Sequence, residues 1–208
     1  MKKTKAPISP APAPRSAVVR ASHEIRIIGG QWKRTKLQVA DQATLRPTPD
    51  RVRETLFNWL QPFLHGARCL DLFAGSGALG AEALSRGASR AVFVDASRSA
   101  ITALKATLEQ FRAEGAEFVI DNAGHFLREP GGPYDVVFLD PPFGEGHLEP
   151  ALAQLAATGC LAQGAFVYIE QPKKQPLPPI SSRWSLHREG HAGEVAYSLF
   201  RNLPPSQP

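Results

Sequence analysis

The chain has 208 residues, 43% of them hydrophobic, enough for one domain with a core. No apolar run approaches the ~18 residues needed to span a membrane, and the lysine-rich start lacks the apolar segment of a secretory signal. The formal net charge of +5 is unevenly spread: residues 1–53 carry 12 Lys/Arg against three acids, a net of +9, and residues 54–208 carry 12 against 16, a net of −4.

A basic arm on a mildly acidic body implies a polyanion partner; the alternative is a solvated, solubilising segment. Cys69 and Cys160 are far apart and show no metal or redox spacing, which suggests a reducing, cytoplasmic setting. The six histidines form no ligand-spaced pair, so no metal is expected.

Taken in chain order, the first 22 residues are rich in Pro, Ala and Lys with little to bury, and they predict a disordered tail. "IRIIGGQWKRTKLQVA" predicts a β-hairpin around Gly29-Gly30, with strand residues reaching Val39. "TLRPTPDRVRETLFNWLQPFL" predicts a helix opened by Pro49 and Asp50, with Val52, Leu56, Phe57, Leu60 and Leu64 at helical spacing. Residues 23–65 therefore form an extension ahead of a body spanning 66–203, with a short tail at 204–208.

From Cys69 the pattern alternates. "RCLDLF" is a strand and "GALGAEALSRG" a helix; "RAVFVDA" is a strand and "SRSAITALKATLEQFRAEG" a helix ending at Gly115. "AEFVID" is a strand before the short helix "AGHFLRE"; "YDVVFLD" is a strand and "HLEPALAQLAATG" a helix. "GAFVYIEQ" follows as a strand, and "WSLHREG" with "EVAYSLFRN" reads as a final antiparallel pair. Alternating units of this kind predict an α/β fold with a doubly wound, mostly parallel sheet, whose ligands lie at the carboxyl ends of the strands.

The turn between the first such strand and helix, "DLFAGSGALG", holds Gly75, Gly77 and Gly80. Glycines let a ligand approach backbone closely, and the helix N-terminus adds a favourable field. A ligand-free tight turn and a nicotinamide site share this spacing. Asp71 argues against the latter, because a carboxylate there would repel a pyrophosphate but welcome a cationic ligand such as S-adenosylmethionine. Asp95 ends the next strand, where an acid can hold a ribose; a helix N-cap is the alternative. Asp121 or Asn122 could read an adenine edge, or either could cap a helix. Phe73 reads as core or cofactor wall.

"FLDPPFGEG" puts a carboxylate, two prolines and an aromatic ring at the tip of an apolar strand. An exocyclic amine has two N–H groups. Asp140 and the Pro141 carbonyl can accept both, aiming the lone pair at a methyl donor and stabilising the charge that develops on nitrogen. Phe143 can stack on a flipped base. A purely structural turn is the alternative.

Together these motifs resemble the class I S-adenosylmethionine-dependent methyltransferases that modify exocyclic amines. "RIIGGQWKRTKL", "LRPTPDRVRETLFNWL" and "AYSLFR" are more closely similar to the bacterial 16S ribosomal RNA guanine-N2 methyltransferases, over about residues 25–202. The Lys- and Pro-rich first 20 residues are not part of the family pattern. The resemblance implies a Rossmann-like seven-stranded sheet with a small N-terminal hairpin and helix extension. It implies S-adenosylmethionine as cofactor, with Asp71, Phe73, Gly75, Gly77, Asp95 and Asp121 or Asn122 around it. It implies Asp140, Pro141 and Phe143 on the guanine. Charge, first, and then the resemblance point Arg26, Lys33, Arg34, Lys36, Arg46, Arg51 and Arg53 at RNA phosphates, which dominate affinity but carry little sequence information. The expected partner is ribosomal RNA or a small-subunit assembly particle, met by a monomer. The rival readings are a DNA adenine-N6 methyltransferase, for which 208 residues leave no room for a target-recognition domain, and a non-catalytic RNA-binding assembly factor.

Overall fold

The computed structural model describes residues 25–38 and 49–204. The predicted tails before residue 25 and after residue 204, Val39 of the hairpin and the candidate phosphate ligand Arg46 lie outside the described residues.

Strands β1 (Ile25–Arg26) and β2 (Lys36–Leu37) pair antiparallel with Ile25 opposite Leu37. Helix α1 (Asp50–Leu60) follows, continued by a 3-10 turn over Gln61–Phe63. The body runs β3 (Arg68–Asp71), α2 (Ala78–Ser85), β4 (Arg90–Asp95), α3 (Arg98–Gln110), β5 (Ala116–Ile120), α4 (Ala123–Phe126), β6 (Tyr134–Leu139), α5 (Leu148–Ala157), β7 (Leu161–Pro172), β8 (Trp184–Ala192) and β9 (Val195–Asn202). The main sheet has seven strands in the order β5-β4-β3-β6-β7-β9-β8. The first five are parallel and β9 pairs antiparallel with both β7 and β8, as the alternating pattern predicts.

The central strands β3, β4, β6 and β7 are buried on both faces, and alternate residues feed separate cores. Cys69, Phe93, Val136, Phe138 and Tyr168 pack with α1, α2 and α3. Leu70, Val92, Val137, Leu139 and Val167 pack with α5 and Leu127 on the other side. Helix α3 stops at Gln110 instead of continuing to Gly115. Arg112 takes a left-handed φ of 52°, and the Ala113 N–H turns back to the Leu108 carbonyl at 2.9 Å, closing the helix early.

The hairpin is fastened to α2. The Ile28 and Gly29 N–H groups each donate to a Glu82 carboxylate oxygen at 2.7 Å, and Arg86 Nε donates to the same carboxylate at 2.7 Å. The Gln31 N–H reaches the Ser85 carbonyl at 2.8 Å, and Ser85 Oγ donates to the Gly29 carbonyl at 2.6 Å. Gly30 has a φ of +74°, and a Cβ there would sit 1.8 Å from the Ser85 carbonyl oxygen. No side chain can occupy that position without separating hairpin from helix. Glu82 is 0% exposed; its charge is tolerable because backbone donors and a guanidinium satisfy it.

Among the described residues no helix is long and apolar enough to cross a membrane, and no group of three or more His, Cys, Asp or Glu side chains could hold a metal ion.

Candidate active site

Strand β3 pairs with β4 on one side and β6 on the other, so the crossover direction reverses at its tip. A crevice at such a switch point is where open α/β sheets bind ligands. Five acidic residues stand at or just beyond these tips: Asp71 on β3, Asp95 on β4, Asp121 after β5, Asp140 after β6 and Glu170 on β7.

Asp71 is 2% exposed, and its Oδ2 accepts from the Gly80 N–H at 2.9 Å. Burial raises its pKa to about 7; the Gly80 N–H opposes the rise, while Asp140 and Asp95 add to it. Asp95 Oδ2 accepts from the Gly75 N–H and Oδ1 from the Ser97 N–H, both at 2.7 Å. The helix-cap alternative for Asp95 goes to Ser97, whose Oγ accepts from the Ala100 N–H at 3.3 Å. Asp95 instead ties the glycine loop to its own strand tip, and it is half-buried there.

Gly77 opens α2 at a φ of +72°, and a Cβ there would lie 2.4 Å from a Leu104 methyl carbon. The loop thus passes α3 as closely as backbone can. Phe73 is half-buried and packs against the α5-side core, with its ring 6.2 Å from that of His147.

After β5, Asn122 caps α4: its Oδ1 accepts from the His125 N–H at 2.8 Å. Asp121 Oδ1 accepts from the Asn122 N–H, and Oδ2 meets His125 Nδ1, a hydrogen bond that is the main cause of its lowered pKa. Asn122 thus serves as the cap of α4, and Asp121 is partnered by His125.

The tip of β6 differs in build. Asp140 is half-buried, Pro141 buried and Phe143 39% exposed, an aromatic ring in water with glycines 144 and 146 behind it. A cavity of about 210 Å³ opens against this turn, lined in part by Pro141, Pro142, Phe143, Glu170, Gln171 and Pro172. That is below the ~300–1,000 Å³ of sites for drug-sized ligands.

The residues around β3 and β4 fit S-adenosylmethionine. A glycine motif is hydrogen-bonded to two carboxylates, Asp71 through Gly80 and Asp95 through Gly75, with the buried Asp71 raised to about 7, and this matches a ligand with an ammonium and a sulfonium and no phosphate.

Residues 25–201 match a family model described as conserved hypothetical protein 95. Ribosomal RNA small subunit methyltransferase D of Escherichia coli (strain K12) is 50% identical over 180 residues, covering 86% of this chain and 91% of that protein. Its Haemophilus influenzae counterpart is 42% identical over 186 residues, covering 88% of this chain and 96% of that one. The solved structure of yhhF from Escherichia coli superposes with a TM-score of 0.81 at 48% identity, covering 86% of this chain and 98% of that chain. The chain belongs to the ribosomal RNA small subunit methyltransferase D family.

For a member of this family the placement of the basic side chains matters. Arg26, Lys33, Arg34, Lys36 and Arg51 are exposed. Arg53 is not available to a phosphate: it is 1% exposed, its Nη2 donates to Asp50 Oδ1 at 2.6 Å, and its Nε and Nη1 are buried without a hydrogen-bond partner. It lies on the inner face of α1 with Val52, Leu56 and Phe57, a burial that charge counting does not see. The hairpin turn docks on Ser85, at the end of α2 away from the glycine loop. Eight helical residues span ~12 Å, so the Ser85 docking point lies about that far along the helix from the glycine loop.

Two buried acids escaped the sequence reading. Glu82 looks like an ordinary solvated helix residue, and only the hairpin reveals its role. Glu170 ends "VYIE" just as Asp95 ends "VFVD", and that shared strand-tip position was the available signal.

Proposed function

We propose that this chain is an S-adenosylmethionine-dependent methyltransferase acting on the exocyclic N2 amine of a guanine in small-subunit ribosomal RNA. The observation that carries the reading is Asp140-Pro141 at the tip of β6, immediately beside the β3 tip at the sheet's switch point, with β4 on the far side of β3. S-adenosylmethionine, when bound, supplies an electrophilic methyl group. Asp71, Asp95, the Gly75–Gly77 rim and Phe73 would hold it, and Asp121 would lie at the adenine end.

The chain's own work is done at β6. Asp140 Oδ and the Pro141 carbonyl accept the two amine hydrogens, which fixes the nitrogen lone pair in one direction. As nitrogen gains charge, the carboxylate is already in place and no solvent has to reorganise. The proton that nitrogen must lose is held at Asp140 Oδ. Pro141 and Pro142 keep these acceptors rigid, and Phe143 offers a face for the base, stacking being worth ~1–3 kcal/mol. Mass mapping of ribosomal RNA methylated by the purified protein tests this: N2-methylguanosine is expected at one position. Methylation confined to adenine, or none at all on ribosomal RNA, would overturn it.

A further inference from the structure

A second cavity, of about 260 Å³, opens by the N-terminal ends of β3 and β6, the ends away from the proposed active site. It is lined in part by Phe63, His65, Asp135, Gln163, Gly164 and Phe166. Strand register makes room for it. Between the pairs Tyr134–Leu161 and Val136–Phe166, β6 advances two residues and β7 five, so β7 bulges there. The 3-10 turn ending in Phe63 sets that ring against Phe166, with centroids 4.6 Å apart. Phe166 is 2% exposed and Phe63 39%, so a ring backed by the core stands in water. The Arg201 guanidinium lies over the Phe166 ring, 5.7 Å from its centroid. One of its Nη nitrogens is 3.5 Å from where a Gly164 Cβ would stand, at the rim of the cavity.

An exposed aromatic ring beside an arginine suits an unpaired nucleotide: stacking holds any base, and the cation holds its phosphate. Asp135 decides which part goes where. Its Oδ2 accepts from the Arg68 N–H at 2.8 Å, and a carboxylate repels a phosphate, so the base belongs inside and the phosphate at the Arg201 rim. The position also continues the basic end of α2. His65 Nδ1 lies 3.3 Å from where a Gly87 Cβ would stand, and the Gly66 N–H donates to the Gly87 carbonyl at 2.8 Å. Gly87 is two residues beyond Ser85, on which the hairpin turn with Lys33 and Arg34 is seated. Cavity and hairpin turn therefore flank the same end of one helix.

We infer that this cavity is a second nucleotide site: an unpaired base of the RNA substrate, other than the methylated one, stacks on Phe63 while its phosphate meets Arg201. The site needs an RNA substrate but not the guanine-N2 reading. A second copy of this chain is the competing occupant for an exposed ring, and the test separates the two.

The test uses the full chain and a transcript of small-subunit ribosomal RNA, with affinity measured across a range of salt. Phe63→Ala is expected to weaken binding roughly tenfold at every salt concentration, the scale of one stacked base, and to leave the salt slope alone. Phe63→Trp keeps an aromatic face and should retain wild-type affinity. Arg201→Gln should lower the slope of log affinity against log salt by ~0.7, one phosphate contact on a single strand. S-adenosylmethionine affinity should stay near wild type in all three variants, which also checks the fold. A Phe63→Ala protein that binds cofactor and holds RNA within about twofold of wild type, well short of one stacked base, would overturn the inference. Should that variant fail to fold, an unchanged slope in Arg201→Gln overturns it instead. A wild-type dimer that Phe63→Ala disperses in sedimentation, with RNA affinity intact, would make the ring a self-association surface and also overturn it. A methylated nucleoside other than N2-methylguanosine would remove the N2 reading and leave this site standing.

Discussion

The two ends of α2 are chemical opposites. At its start the glycine motif is hydrogen-bonded to Asp71 and Asp95, with Asp140 just beyond the neighbouring β6; at its finish the Gly29-Gly30 turn carries Lys33 and Arg34. The acidic end welcomes a cationic cofactor and an amine-bearing base edge, and it repels a phosphate backbone. The basic end can hold a phosphate track but reads no sequence. On the proposed function, an RNA strand held at the basic end has to deliver one base, without its phosphates, to the acidic end, and variants should be able to damage chemistry or affinity alone.

The largest expected effect joins the two ends. Glu82→Ala leaves two buried N–H groups and Arg86 without their acceptor, and stability should fall by roughly 3–5 kcal/mol, measured by urea unfolding. A loss within about 0.5 kcal/mol, the scale of a surface change, would mean that the hairpin is not fastened through Glu82.

Next comes the acidic end. Asp140→Ala should lower turnover ~10²–10³-fold while S-adenosylmethionine affinity is nearly unchanged, as single-turnover rates and calorimetry can show. Joint loss of both would erase the division drawn between the β6 tip and the cofactor side. Asp95→Ala should do the reverse, weakening cofactor binding by ~1.5–3 kcal/mol. Because Ser97 already caps α3, a fall in melting temperature with intact affinity is not expected.

The basic end is tested by salt. Changing Lys33, Arg34 and Lys36 together to Ala should lower the slope of log affinity against log salt by about two to three, since each phosphate contact contributes ~0.7–0.9. Cofactor affinity should not move. An unchanged slope would assign RNA binding to other surfaces.

The smallest effect is a pH dependence. The folded-state pKa of Asp71 is raised to about 7 from the ordinary 3.8. A raised acid binds more protons in the folded state, so its contribution to stability is fully present below 3.8 and is lost as pH rises through about 7. A cationic ligand prefers the ionised form. S-adenosylmethionine affinity should accordingly rise roughly threefold or more from pH 6 to pH 8, with proton release on binding. Asp71→Asn should flatten that rise, and calorimetry in two buffers of different ionisation heat will detect it.

What the sequence revealed and what it hid follow from distance along the chain. The glycine loop and the Asp140 turn are local patterns, each a strand running into a few constrained residues, so their position and class were legible. Arg53 was misread as a phosphate ligand because a count of charges carries no information on which helix face is buried. Asn122 offered two roles, and three residues of local geometry assigned it to the cap. Glu170 stands 30 residues beyond Asp140, and Glu82 more than 50 beyond the hairpin it secures. Only strand register and tertiary docking join those pairs, and neither is written in any short segment.

The close seat of Gly30 on the Ser85 carbonyl bears on how this architecture can be re-engineered. Ile25, Ile27 and Leu37 share one core with Ala81, Ala83 and Leu84. A cut at residue 65 would therefore divide a packed unit rather than release an accessory module. Exchanging the hairpin for one from another RNA-modifying enzyme requires carrying Glu82, Ser85 and Arg86 with it. The transferable part is the hairpin together with α2, two pieces of chain separated in sequence that can be inherited or grafted only as one.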